Sequence, residues 1–151
     1  MNASNSHMIR VYPGRLDPSC IRDFLVSIHE ERWPSAAYEF DLDAYPRKLA
    51  ACAEGFAEVS KAGALEAVVL GYANDSENHV AYISYIARRS DASSSGRCLH
   101  QAFVEFAREH GMQSIRLEVL RGNLCARAFY DRVGYRLAED RGDRLLLEKA
   151  I

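Results

Sequence analysis

Apolar residues alternate in some stretches of this chain and recur at helical spacing in others. The order of those stretches limits the fold more than any other feature. Residues 8–12 alternate and read as a first strand. Asp17-Pro18 reads as a helix start, with Asp as N-cap and Pro at the first helical position. Ile21, Phe24, Leu25 and Ile28 then give that helix one apolar face, and Trp33-Pro34 stops it. Asp43, with Pro46 in the first turn, opens a second helix through Leu49 and Cys52. Residues 56–60 and 65–72 read as strands around a Lys61-Ala62-Gly63 turn, and 79–88 as a third after a polar loop.

Residues 90–96 form a small, polar turn. Leu99, Phe103, Phe106 and Ala107 follow at helical spacing up to a capping Gly111. Ile115, Leu117 and Val119 alternate as a strand, residues 126–132 are a short helix ended by Gly134, and 135–138 with 145–149 make a closing hairpin. The order β-α-α-β-β-β-α-β-α-β-β describes an α/β (α+β) chain, largely antiparallel in its first half and with crossover helices in its second.

Composition excludes several classes. With 151 residues, 48% apolar and 26% charged, the chain suits one ordinary domain rather than a disordered segment. A net charge of −2 argues against a nucleic-acid binder, and no apolar run approaches the ~20 residues that cross a bilayer. Cys20, Cys52, Cys98 and Cys125 show neither a C-x-x-C pair nor zinc spacing. They read most simply as reduced, partly buried thiols in a cytoplasmic protein, with a disulfide or a catalytic thiol as the alternatives, and no metal is expected. Residues 1–7 are polar and featureless ahead of Met8, and read as an expression remnant before a single domain at 8–151.

The most informative stretch is 117–135, with Leu117-Glu118-Val119, Asn123, Ala126, Phe129-Tyr130 and Gly134-Tyr135. It resembles, without gaps, the recurring pattern of the GNAT superfamily of N-acetyltransferases. The resemblance implies the GNAT fold, a central mixed, largely antiparallel twisted sheet of about seven strands flanked by about four helices. It also implies an acyltransferase that uses acetyl-CoA, with coenzyme A bound in three places.

The first is the start of the helix after the fourth strand, where bare amides and the helix dipole meet pyrophosphate. The superfamily's Arg/Gln-x-x-Gly-x-Gly/Ala signature falls on Asp91, Ser94 and Gly96, and only Gly96 is kept. Ser94, Ser95, Gly96, Arg88 and Arg97 are the candidate phosphate ligands, with serine hydroxyls and arginines compensating for Asp91. The ordinary alternative is an N-cap, which uses the same helix end. The second place is the backbone around Tyr85 to Arg88, Ile86 included, expected to pair with the pantetheine amides. The third is Asn123, which either holds the pantetheine arm or caps the next helix.

Tyr130 stands where the superfamily places the general acid that protonates the departing thiolate. The alternative is a core tyrosine. Glu118 lies 12 positions earlier, the separation of base and acid in the ribosomal-protein N-terminal acetyltransferases that this stretch also resembles. It is the candidate base, or else a structural carboxylate paired with Arg116 or Arg121. Tyr82, Ser84 and Tyr85 could instead orient a water, and His79 is a further contender.

The acceptor side in this superfamily comes from the first two helices and their connection. Residues 17–54 hold eight acidic and four basic residues. Glu30, Trp33 and Tyr38 cluster at the helix break, and with Tyr82 and Ser84 they are the candidate substrate residues. An acidic, aromatic rim suits a small cationic amine, an amino sugar among the candidates. A solvated helix face is the alternative. A peptide or protein N-terminal acetyltransferase and a catalytically weak acyl-CoA-binding module are the competing functions. Homodimers are common in the superfamily, and the closing hairpin is the candidate contact.

Overall fold

The computed structural model describes residues 6–151. Residues 1–5 of the segment read as a remnant lie outside the described residues. In chain order the elements are β1 (Ser6–Val11), α1 (Pro18–Arg32), α2 (Ala44–Cys52), β2 (Glu54–Ser60), β3 (Leu65–Tyr72), β4 (Val80–Arg88), α3 (Gly96–Glu109), β5 (Ser114–Leu120), α4 (Leu124–Arg132), β6 (Arg136–Asp140) and β7 (Arg144–Ala150). The seven strands form one mixed sheet in the order β1-β2-β3-β4-β5-β7-β6. Every neighbouring pair is antiparallel except β4 with β5, which a crossover through α3 makes parallel.

Each face of the sheet carries its own core. Ile21, Phe24, Leu25 and Ile28 of α1 and Leu49 of α2 pack with Val68 and Leu70 of β3 on one face. Leu99, Phe103, Phe106 and Ala107 of α3 pack on the other, with Ile115 and Leu117 of β5 and Tyr130 of α4. These are the residues whose helical spacing marks the apolar stripes in the sequence.

Local differences from the sequence reading have simple causes. β1 begins at Ser6, because Ser6 and His7 still pair with Ser60 and Val59. Asp43 holds the N-cap position of the second helix, as the sequence reads it, but Asp41 supplies the side-chain cap. The Asp41 carboxylate accepts from the amides of Asp43 and Ala44, whereas Asp43 makes no side-chain cap bond. β6 starts after Tyr135, whose amide is tied back to the Tyr130 carbonyl across Gly134 at φ +101°. That turn sends the Tyr135 ring into the core at 5% exposure.

Two features of β4 interrupt the sheet. β4 and β5 pair only from Val80–Ser114 to Tyr82–Arg116. The register against β3 then skips from Ile83 to Tyr85, so Ser84 is a bulged residue. Opposite the bulge stands Gly71, where an added Cβ would lie 2.1 Å from the Tyr82 carbonyl oxygen. Beyond Tyr82 and Arg116 the two strands no longer pair, and a cleft lined by the later residues of both lies there.

Candidate active site

The cleft is a cavity of about 540 Å³ that runs from the start of α3 to the α1–α2 connection. Ile86, Arg88, Gly96, Asn123 and Tyr130 of the expected cosubstrate side line it, as do Trp33, Tyr38, Tyr82 and Ser84 of the expected acceptor side, together with Glu118. Ser94, Ser95, Arg97 and Glu30 are not on its wall.

At the α3 end, Ser95 is the N-cap and its hydroxyl accepts from the Cys98 amide at 3.1 Å. Among the described residues, nothing accepts from the amides of Ser95, Gly96 and Arg97. They are the donors that a helix start leaves open. A Cβ on Gly96 would meet only Phe129, at 3.4 Å, and the Arg88 side chain. The glycine therefore keeps the backbone accessible from the cavity. Arg88 is otherwise engaged, since its guanidinium donates to the carbonyls of Ser94 at 3.0 Å and Ala92 at 3.1 Å. Arg89 likewise donates to the Leu65 carbonyl. Asp91 is exposed.

Along β4, the amide of Arg89 donates to the Glu66 carbonyl. In an antiparallel ladder, that bond turns the amides and carbonyls of Ile86 and Arg88 toward the cleft. The Arg88 carbonyl is taken by Arg32 at 2.6 Å, and that of Ser84 by the Tyr45 hydroxyl at 3.0 Å. Ile86 is left with an open edge. Asn123 caps α4, accepting from the Ala126 amide at 3.1 Å.

Tyr130 is 8% exposed, yet its ring lines the cavity. Burial alone pushes its phenol upward, and among the described residues no hydrogen bond engages it. It is a protonated donor available to a ligand. The Glu118 carboxylate binds Arg141 at 2.6 Å. Arg116 and Arg121 are not its partners, because Arg116 meets Glu148 across the β5–β7 ladder and Arg121 meets Asp140. Tyr82 is raised by burial and then by the Glu118 charge, so its phenol also stays protonated. His79 lies outside the cavity, in a turn at φ 56°.

The acceptor end is more aromatic than the helix break alone suggests. Tyr38 stacks on His29 at 3.9 Å, and Phe40 stacks on Tyr45 at 4.3 Å with its ring against the edge of Tyr85. Glu39 is bridged to Arg144 of β7 at 3.1 Å, across the cavity wall. Glu30 instead takes a long 3.4 Å bond from the Tyr38 hydroxyl. Glu39 and Arg144 are not singled out by the sequence, since no local spacing joins residues that only the closed sheet brings together.

The sequence model of the Acetyltransferase (GNAT) family matches residues 21–135. No curated protein matches the chain. Among solved structures, the chain is similar to the PaiA N-acetyltransferase of Thermoplasma acidophilum in complex with coenzyme A, with a TM-score of 0.74 at 12% identity over 97% of this chain and 99% of that one. Arabidopsis thaliana NAA60 in complex with a bisubstrate analogue gives 0.67 at 17% identity over 96% and 99%. A nourseothricin acetyltransferase gives 0.56 at 23% identity, over 65% of each chain, so this chain spans less than two thirds of that one's length. At these identities the structural likeness concerns the fold.

Proposed function

The chain belongs to the GNAT family of acetyltransferases and is therefore an acyltransferase that takes its acetyl group from acetyl-CoA; we propose that it passes that group to the primary amine of a small molecule, with an amino sugar as one candidate class. The observation that carries this reading is the unbonded, protonated phenol of Tyr130, set in one cavity between the open amides at α3 and an aromatic, partly acidic wall.

Acetyl-CoA supplies a thioester carbonyl open to attack by an amine. The Gly96 amide on the cavity wall, with those of Ser95 and Arg97 on either side of it, receives the diphosphate, the Ile86 edge receives the pantetheine amides, and Asn123 borders the arm. The Tyr130 phenol donates to the sulfur as it departs, so the leaving thiolate is met by a proton donor. The Glu118 carboxylate, with one oxygen on Arg141, takes the proton that the attacking ammonium must lose. Attack is direct, in a ternary complex. Trp33, Tyr38 and Phe40 supply ring faces for a cationic acceptor.

The Glu39–Arg144 bridge favours a compact acceptor, because it ties the α1–α2 connection to β7 across the end where a peptide would need an open channel. The second reading, a peptide N-terminal acetyltransferase, is favoured by the Glu118 to Tyr130 spacing and by the likeness to the bisubstrate-bound NAA60 structure. Thiol release from acetyl-CoA, measured with amino sugars, simple amines and peptides with free N-termini, separates them. Small amines should exceed peptides by about tenfold or more in kcat/KM. Peptides outrunning every small amine would overturn the proposal. Four free thiols suit a reducing, cytoplasmic setting, and only Cys20 is partly buried as expected, since Cys52, Cys98 and Cys125 are exposed.

A further inference from the structure

Glu58 of β2 is a carboxylate at 3% exposure on the face of the sheet that carries α3, and nothing in the reaction described above uses it. Its Oε1 accepts from the Ser93 amide at 3.0 Å and the Ser93 hydroxyl at 2.8 Å, and its Oε2 accepts from the Ser94 amide at 2.9 Å. The Ser6 hydroxyl also donates to Oε1 at 2.7 Å. The same turn is gripped on its carbonyls by Arg88, at Ala92 and Ser94. One anion therefore holds the amides of residues 93 and 94, and one cation holds the carbonyls of residues 92 and 94. Burial opposes ionisation of Glu58, but hydrogen bonds from Ser94, Ser6 and Ser93 outweigh it and hold the carboxyl down at about 2. The anion is permanent at any working pH.

We propose that Glu58 is a positioning residue for acetyl-CoA: by fixing the amides of Ser93 and Ser94 inward, it orients the next three amides, those of Ser95, Gly96 and Arg97, toward the diphosphate. The inference rests on the reading of the α3 start as the diphosphate site. A glycine-rich turn reaches such a shape through its own backbone freedom. This turn has serine at positions 93, 94 and 95 and relies on two flanking charges instead. A carboxylate accepts at both oxygens, so it can hold two neighbouring amides at once, whereas a carboxamide must present an N–H to one of them. The inward-facing amides are removed from the phosphate site, which is thereby confined to the first turn of α3.

The test compares Glu58→Gln with wild type by calorimetry with coenzyme A and by kinetics with two donors, acetyl-CoA and S-acetylpantetheine, which lacks the diphosphate. The coenzyme A Kd and the acetyl-CoA KM should rise by about tenfold or more, with kcat at saturation changed by less than about twofold. The kcat/KM for S-acetylpantetheine should stay within about twofold of wild type. An unchanged coenzyme A Kd in a folded variant would overturn the proposal. So would an equal loss with both donors, which would mean a general distortion. If wild type and variant bound coenzyme A and its diphosphate-free analogue pantetheine equally well, the diphosphate reading of α3 would fall instead, and the inference with it. Should Glu58→Gln not fold, Ser93→Ala removes one hydroxyl bond to Oε1, and a rise of about threefold in coenzyme A Kd with S-acetylpantetheine unaffected is expected. No rise would count against the proposal.

Discussion

The turn between β4 and α3 is held from within, by buried Glu58 on its amides and Arg88 on its carbonyls. The connection between α1 and α2 faces the same cavity but is held by stacked rings, with partly buried Phe40 on Tyr45, and at the surface by the pair Glu39–Arg144. Hydrogen bonds to buried charges are strong and costly to break, whereas exposed ion pairs contribute about 0–1 kcal/mol. The cosubstrate end is thus built to stay fixed, and the acceptor end can adjust. That division suits an enzyme with a constant donor, since changes in the acceptor wall leave the donor's seat untouched.

The sharpest way to break the rigid side is Gly96→Val. Its Cβ would meet Phe129 at 3.4 Å, which the helix start can accommodate, but its methyl groups would enter the cavity beside the open amides. Acetyl-CoA affinity should fall by about 10- to 100-fold with the fold intact, as calorimetry and circular dichroism would show. Affinity unchanged would mean that the diphosphate lies elsewhere.

Acid should also reach the α3 side of the molecule in two stages. Burial, and then the charge of Lys149, lowers His100 to about 4, and its Nε2 sits 2.8 Å from the Tyr135 hydroxyl. A lowered folded pKa means that stability is fully present above the unfolded value of about 6.5 and is lost as pH falls toward 4. The loss should be on the order of 2–3 kcal/mol. Glu58 adds a second decline between about 4.5 and 2, since its folded pKa is also depressed. Denaturant midpoints measured against pH check this. In His100→Gln the decline between pH 6.5 and 4 should flatten, and persistence of the full slope would assign it to another group.

The smallest effect is expected on the surface-held side. Glu39→Gln should change stability by less than about 1 kcal/mol. It should shift the KM for the amine several-fold while leaving the acetyl-CoA KM within about twofold. Equal shifts in both would erase the distinction between the two walls.

Much of this was readable from residue order. The strand and helix sequence follows from two periodicities, whereas the bulge opposite Gly71, next to last in β3, has no sign in that pattern. The cavity residues contributed by residues 117–130 could be placed because strand, turn and helix lie within one short span. Glu58 was not legible. In Glu54–Ser60 it is one acidic residue in a strand whose two faces are both covered, and only the return of the serine turn onto β2 gives it donors. The Glu39–Arg144 bridge joins residues 105 positions apart, and no spacing rule reaches that far. Arg88 was read as a phosphate ligand from its charge, but the carbonyls at 92 and 94 lie nearer to hand.

The central claim is that Tyr130 is the proton donor to the departing thiolate. It is tested most directly by Tyr130→Phe, which removes one oxygen from a buried phenol and no hydrogen bond to any described residue. In a thiol-release assay with a competent amine, kcat should drop by about 100-fold or more, with coenzyme A affinity within about twofold of wild type. A variant that keeps the full rate would contradict the account.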